Sequence, residues 1–289
     1  MSPLKITLIF LCTLPCIVFG NNDNVSKKEK EALLTIYKNT KGQEWTTSWN
    51  LNKPVSEWYG VLVKNNKVIE LDLNYNNLTG QLPEEIGDLV YLKKLVLDRN
   101  NITGSIPNSI GGLKELTHLN IAFNKLEGEI PSTITNLTNL RSFSLFMNRL
   151  TGELPENIGD LKLLSSIQVF NNNLTGKLPP SITKLSNLVC LQVSSNSLSG
   201  ELPKDIFKLK RLKILNVFDN KLKGVLPSEI SNLENIEELS LGNNLFVGYL
   251  PSELINLKKL KKLSLVNNDF KGDFVYIKEN LPQLNHSSF

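Results

Sequence analysis

Apolar residues recur along most of the chain with a fixed period of 24 residues. Each unit reads LxxLxLxxNxLxGxLPxxIxxLxx, with Ile, Val or Phe allowed at the Leu positions. The alternation within the LxL segment predicts a short strand with one buried face. A single unit is too small to bury that face alone, so the units must stack. One asparagine marks each of the nine units: Asn76, Asn100, Asn124, Asn148, Asn172, Asn196, Asn220, Asn244 and Asn268.

Stacking of these units predicts an α/β-type repeat solenoid. Nine short strands, paired in parallel about 4.8 Å apart, would form a curved sheet on the concave face. The xxIxxL segment would return along the convex side as a loop, 3-10 or helical turn. Each unit asparagine would turn inward, where its amide can satisfy backbone groups of adjacent turns. This asparagine ladder is therefore expected to be structural.

The unit is that of a leucine-rich repeat. Its LxGxLP segment resembles the plant-type subclass, which is found in receptor ectodomains and secreted inhibitors. The resemblance covers residues 68–274 and implies a second, shorter strand in each unit. It also implies a protein that recognises a partner rather than one that catalyses a reaction.

Residues 21–67 are expected to cover the first unit of the stack. An amphipathic helix is predicted at 26–40, with Ser26 as its N-cap and Glu29 as the capping-box partner. All three tryptophans follow within a short section: Trp45, Trp49 and Trp58.

The tryptophans allow two interpretations: a plug on the end of the leucine core, which we favour, or a platform for stacking sugars. Their spacing resembles the N-terminal cap of plant-type repeats and of secreted bacterial relatives. The cap lacks the cysteine pair of plant caps, which favours a secreted bacterial protein.

The last 15 residues, 275–289, are expected to form a short C-terminal cap. Tyr276, Ile277, Leu281 and Leu284 are its candidates for covering the last unit.

Residues 1–20 read as a secretory signal peptide cleaved after Gly20, with one charged residue, Lys5, before an apolar run. That run is too short for a membrane span, so a secreted or cell-surface protein is predicted. Loss of Lys5 lowers the formal net charge from +4 to +3, which argues against nucleic acid as the main partner. Cys190 is then the one remaining cysteine, so no internal disulfide can form.

Aromatic residues interrupt the polar outward positions of the predicted concave face. Among small amides and hydroxyls, such residues suit a partner that is partly apolar and partly hydrogen-bonding, either protein or oligosaccharide. The alternative is that the rings only pack against neighbouring units. The predicted binding residues are Phe123, Phe146, Met147, Phe170, Phe218, Gln168, Gln192 and Asn216.

No catalytic residue, metal site or cofactor is predicted. His118 has no second His or Cys in its column, and Cys190 has no acid-base partner. Glu70 and Asp72 lie at an open corner without the burial that separates two carboxyl pKa values. Lysines make the last units basic, which is either a solvated surface or a contact for an acidic glycan or membrane surface.

The sequence thus favours a secreted or surface-exposed, non-enzymatic recognition protein. It would be a monomer that binds a protein or glycan across its concave face. The alternative is a structural or adhesive surface protein that binds through its regular outer face. An inhibitor of wall-degrading enzymes is less favoured, because the cap cysteines are missing, and an enzyme or toxin is less favoured still.

Overall fold

The computed structural model describes residues 25–289. The predicted signal peptide and its cleavage site lie outside these residues. Two α-helices, α1 and α2, span Lys27–Asn39 and Phe274–Glu279. The strands β1 to β19 span, in order, Val61–Lys64, Lys67–Asp72, Thr79–Gln81, Lys94–Val96, Asn101–Thr103, His118–Asn120, Glu127–Glu129, Ser142–Ser144, Arg149–Thr151, Ser166–Gln168, Cys190–Gln192, Ser199–Glu201, Ile214–Asn216, Lys221–Gly224, Glu238–Ser240, Leu245–Tyr249, Lys262–Ser264, Asp269–Lys271 and His286–Ser288.

The main sheet is long, curved and mostly parallel, and its strand order is β1-β2-β4-β6-β8-β10-β11-β13-β15-β17-β19. Nine of these strands, β2 to β17, carry the LxL segments, so the predicted repeat solenoid is confirmed. Equivalent residues of neighbouring units pair directly, as Leu119 with Phe143 and Phe143 with Ile167. The two outer strands are additions: β1 pairs with β2 in antiparallel fashion, and β19 pairs with β17.

The second, shorter strands of the units form another sheet, the second sheet, which is interrupted. Its strands form three groups, β3-β5, β7-β9 and β12-β14-β16-β18. The second strand that the plant-type resemblance implies is therefore present in most units. A glycine with positive φ lies in each of these strands or directly after it, for example Gly128 at 76° and Gly152 at 73°. This backbone conformation favours glycine.

The xxIxxL segments, which lead the chain back to the main sheet, form short 3-10 helices. Each of these helices follows the proline of its unit. They tighten the chain before it re-enters the main sheet. In the units they span Glu84–Asp88, Asn108–Gly112, Ser132–Asn136, Ile158–Asp160, Pro180–Lys184, Lys204–Lys208, Ser228–Asn232 and Ser252–Asn256, and the N-terminal region adds Gly42–Glu44 and Val55–Glu57.

The core is one continuous column of leucine and isoleucine side chains between the sheets and the 3-10 helices. Both strand positions of each unit, such as Phe143 and Leu145, are fully buried. The column extends from the tryptophans at one end to Ile277 and Leu281 at the other. Because each unit contacts only its neighbours, stability builds up unit by unit.

The asparagine ladder repeats one hydrogen-bond pattern along the core. Asn148 donates from Nδ2 to the carbonyl oxygens of Ile121 and Leu145, at 3.1 and 2.9 Å. Its Oδ1 accepts from the backbone N–H of Leu126 at 3.0 Å. Asn76, the first member, bonds in the same way to the backbone of Thr47. Each side chain therefore joins its own unit to the one before it.

We expect Asn148→Ala to lower the free energy of unfolding by about 1–3 kcal/mol, because it leaves buried backbone groups without partners. Asn173→Ala is the matched control, since Asn173 is exposed in the adjacent unit. Urea midpoints measured for the two variants provide the test. Equal midpoints would contradict a stabilising role for the ladder. Asn171 is a poorer control because its φ is 52°, where alanine would add strain.

The N-terminal cap is built on α1 and the three tryptophans. Ser26 accepts from the backbone N–H of Glu29 and donates to its carboxylate. The other carboxylate oxygen of Glu29 accepts from the N–H of Val68 at 3.0 Å, which fixes the helix to β2. The tryptophans are buried, and each indole N–H donates to a backbone carbonyl. This arrangement favours the plug over a platform open to sugars.

The C-terminal cap differs from the sequence expectation at one residue. Ile277 and Leu281 are buried, and Leu284 packs partly against the core. Tyr276, however, is exposed, because α2 is a single six-residue helix and turns that side chain away from the last unit. Phe274 takes a place against the core instead.

Candidate functional site

The concave face of units 2 to 5 carries an aromatic cluster, which we define as Arg99, Phe123, Phe146 and Phe170. The rings of Phe146 and Phe170 are stacked, with centroids 4.3 Å apart and planes 10° from parallel. The ring of Phe123 meets that of Phe146 edge-on at 5.1 Å. The guanidinium carbon of Arg99 lies 4.4 Å from the Phe123 centroid. The result is a continuous aromatic surface that ends in a cation.

The three rings of the cluster are half-buried, because each covers part of the next. Met147, beside Phe146, is exposed at 40%. The stacking contributes about 0.5–1.5 kcal/mol for each pair, so the cluster is both a packed feature and an outward apolar surface. Sequence reasoning did not select Arg99, although the repeat places it in the same column as Phe123, one unit earlier.

Two members of this surface have an uncommon backbone conformation. Phe123 and Met147 have φ of 52° and 54°, in the left-handed region. The same position is left-handed in all nine units, and three of them carry asparagine there, Asn171, Asn243 and Asn267. Asparagine tolerates this conformation well, whereas a bulky side chain is strained in it. Local folding therefore does not explain why these two residues are large and apolar.

Amide side chains form a polar row beside the cluster. Gln168, Gln192 and Asn216 are direct neighbours in the register of the main sheet. Gln168 accepts from the Ser144 hydroxyl at 3.3 Å. Asn216 accepts from the backbone N–H of Phe218 and donates to Glu238. The row offers hydrogen-bonding groups next to an apolar surface.

Phe218 lies apart from the other predicted aromatic residues. Ser194 separates its column position from Phe170, and its ring lies against Gly242, whose missing Cβ leaves room for it. The structure thus brings the rings of Phe123, Phe146 and Phe170 into contact. Met147 follows Phe146 in the chain, and Gln168 lies two residues before Phe170. Gln192 and Asn216 extend the polar row away from them.

Charged side chains neutralise one another at the first units of the same face. Lys94 Nζ lies 2.6 Å from a carboxylate oxygen of Glu70 and 3.0 Å from one of Asp72. The hydrogen bond to Glu70 is the largest cause that raises the pKa of Lys94. Burial raises the pKa of Asp98, beside Arg99. Glu70 and Asp72 thus share a lysine rather than forming an acid-base pair.

Residues 25–289 contain no group of three or more His, Cys, Asp or Glu side chains placed to hold a metal ion. Burial is the main cause that raises the pKa of the Cys190 thiol, which disfavours the reactive thiolate. No helix in the described part of the chain has the length and apolar character to cross a membrane.

Comparisons with known proteins agree with the repeat architecture. One family model for the leucine rich repeat matches residues 66–126 and 90–150. A second matches residues 163–185, 187–209 and 211–233. Together they match more than half of the chain.

A curated relative is a polygalacturonase inhibitor from Vitis vinifera, 31% identical over 94 residues. The match covers 32% of this chain and 28% of the relative, so the chain spans less than a third of the curated relatives it matches.

Two solved structures are similar over nearly the whole chain. The Arabidopsis receptor kinase HAESA, solved with the peptide hormone IDA and a co-receptor, is 26% identical with a TM-score of 0.72. That match covers 91% of this chain and 49% of the receptor chain. A plant ice-binding protein is 26% identical with a TM-score of 0.71, over 92% of this chain and 96% of that one. The chain belongs to the leucine-rich repeat family, with repeats of the plant type.

Proposed function

We propose that this is a secreted or surface-exposed recognition protein without enzymatic activity, which binds a protein or peptide ligand on its concave face. The observation that carries the proposal is the aromatic cluster together with Met147. Phe123 and Met147 keep bulky side chains where the backbone favours asparagine. We attribute these bulky side chains to contact with a ligand.

The cluster has the chemistry of a protein-binding surface. Aromatic, methionine and arginine side chains are enriched at interfaces, where a few of them dominate the binding energy. The neighbouring amide row supplies hydrogen bonds that fix the orientation of a ligand. A solved relative, HAESA, is shown in complex with a peptide hormone, which supports a peptide or protein over an oligosaccharide.

Inhibition of a wall-degrading enzyme is the specific form of this proposal that the curated relatives suggest, since they are named polygalacturonase inhibitors. Polygalacturonase activity, measured with and without the mature protein, provides a direct test of whether the protein is such an inhibitor. The structural or adhesive alternative predicts instead that binding does not depend on the cluster.

We expect Phe146→Ser plus Phe170→Ser to weaken capture of the partner at least about 30-fold, as for a hot spot worth 2 kcal/mol or more. The immobilised mature protein would be incubated with secreted and cell-surface fractions, beside a glycan array. Proteins that the wild type retains would then be quantified on the double variant.

Tyr276→Ser is the control, since it removes an exposed ring from α2. Circular dichroism must show that the double variant remains folded, with stability reduced by about 1–3 kcal/mol for the two ring pairs that are lost. Wild-type capture by a folded double variant would contradict the proposal. Early unfolding would show that the rings are packing residues, and retention on the glycan array alone would assign the face to an oligosaccharide.

A further inference from the structure

We propose a second binding site, on the second sheet of units 5 to 8, for an acidic peptide segment that carries apolar side chains. It is separate from the concave face and does not rest on the function proposed above. The site consists of an apolar row on β16, an adjoining recess, and a rim of lysines.

The apolar row breaks the pattern of the second sheet. The outward positions of its other strands are mostly polar, as Glu127 and Glu129 are in unit 3. In unit 8 all three outward positions of β16 are apolar and exposed: Leu245 at 58%, Val247 at 41% and Tyr249 at 77%. From first to last they span about 13 Å at the usual rise of a strand.

Val225 joins this row to a recess. It follows β14, which pairs with β16, and is 64% exposed. It also lines a recess of about 520 Å³ between units 6 and 7, whose apolar lining includes Leu202, Phe207 and Phe246. That volume lies in the range of ligand pockets.

Phe207 contributes a ring to the recess at a position where some other units have glycine. The equivalent residues Gly87 and Gly111 lie so close to the next 3-10 helix that an added Cβ would come within 2.5 Å of its backbone oxygen. Phe207 instead places a largely buried ring at this position, and that ring forms part of the apolar lining. The recess is bounded on that side by Glu229 and Asn232.

Lysines surround the apolar surface and lack partners. A larger recess of about 940 Å³ adjoins the first and shares Lys204 and Lys223 with it. Among the described residues, Lys177, Lys204, Lys221 and Lys223 form no ion pair, whereas Lys208 pairs with Asp205. Within the same part of the chain, the carboxylates Glu201 and Glu229 also line the recesses without an ion pair, so the four lysines leave a net positive charge there. Unpaired cations beside an apolar surface favour a partner that supplies carboxylates.

The same side of units 2 to 4 shows that these charges are not a property of the repeat. A recess of about 560 Å³ there is lined by Glu129, Glu153 and Glu156 and by no lysine. A small anion would fill the recess but leave β16 uncovered. An extended peptide can insert one apolar side chain beside Phe207 and cover Val247 and Tyr249.

The test is selection of random nonapeptides, displayed on phage, against the full mature protein. We expect the selected peptides to be enriched in Asp or Glu together with Phe, Leu or Ile. Binding of a synthesised peptide should weaken at least 10-fold in Val247→Asp and in Lys204→Glu plus Lys223→Glu, and as salt rises from about 50 mM to 500 mM.

Thr151→Asp is the matched control, because Thr151 is exposed at the equivalent position of unit 4; it should bind as the wild type does. The Phe146→Ser plus Phe170→Ser variant should also bind normally, which separates this site from the concave one. The proposal is overturned if no peptide is selected, or if the selected peptides bind Val247→Asp with unchanged affinity. Dimers that Val247→Asp abolishes would assign the row to a second copy and overturn it equally.

Discussion

Trp49→Ala is expected to lower the free energy of unfolding by about 3–5 kcal/mol, the usual range for removing a buried Trp. The Trp49 ring stacks on Trp58 at 4.7 Å and on Tyr37 at 5.7 Å, and meets Trp45 edge-on at 4.9 Å. Its indole N–H donates to the carbonyl of Tyr59 at 2.8 Å. The substitution therefore removes the centre of the cap and leaves one carbonyl without its donor.

Guanidinium unfolding followed by circular dichroism measures this effect. Tyr59→Ala is the control, because it keeps that carbonyl and removes an exposed side chain; it should change stability by less than about 0.5 kcal/mol. The stability of Trp49→Phe should lie between the stabilities of Trp49→Ala and Tyr59→Ala. If Trp49→Ala were as stable as the wild type, the tryptophans would not act as a plug, and their interpretation as a platform for stacking sugars would be favoured.

Phe143→Ala is expected to cost about 3–5 kcal/mol of stability. Phe143 is fully buried and is the one phenylalanine among the first strand positions of the nine units. Its neighbours in the sheet are Leu119 and Ile167, and neither can fill the cavity without moving the strands. Phe143→Leu restores the usual residue of the repeat and should cost only about 1 kcal/mol.

Comparison with Phe146→Ala makes this prediction specific to the buried face. Phe146 lies three residues along the chain but is half-buried on the concave side, so its loss should affect stability less and ligand binding more. Thermal denaturation of the two single variants is sufficient for the test. Equal losses would mean that the two rings are equally important to packing.

The period of the repeat was sufficient to predict the main sheet, its buried positions and the inward asparagines. It could not show the two outer strands, which do not belong to repeat units. β1 had a signal of its own, since Asn65 and Asn66 form a two-residue turn with positive φ at both positions, as a tight hairpin requires. β19 had none, because its residues are polar and it is held by backbone pairing and one hydrogen bond from the Ser288 hydroxyl to the Ser264 hydroxyl.

The sequence predicted which outward positions of the repeat hold the residues of the candidate site. It did not predict how their side chains are arranged. The period places Phe146 and Phe170 on adjacent strands, but their stacking depends on side-chain rotamers. The direction of Phe218 depends on a glycine in the next unit. The left-handed position was visible in principle, because Asn171, Asp219 and Asn243 are residues that tolerate positive φ.

The asparagine ladder also determines how a gene for this fold can change in length. Asn148 bonds to groups 3, 22 and 27 residues earlier in the chain. Duplication of one 24-residue unit preserves all three spacings and adds about 4.8 Å to the sheet. An insertion of one residue between Leu126 and Leu145 breaks the two longer spacings unless a loop absorbs it. Changes in length are therefore tolerated most readily in whole units, and each added unit brings a new set of outward residues that can diverge without disturbing the core.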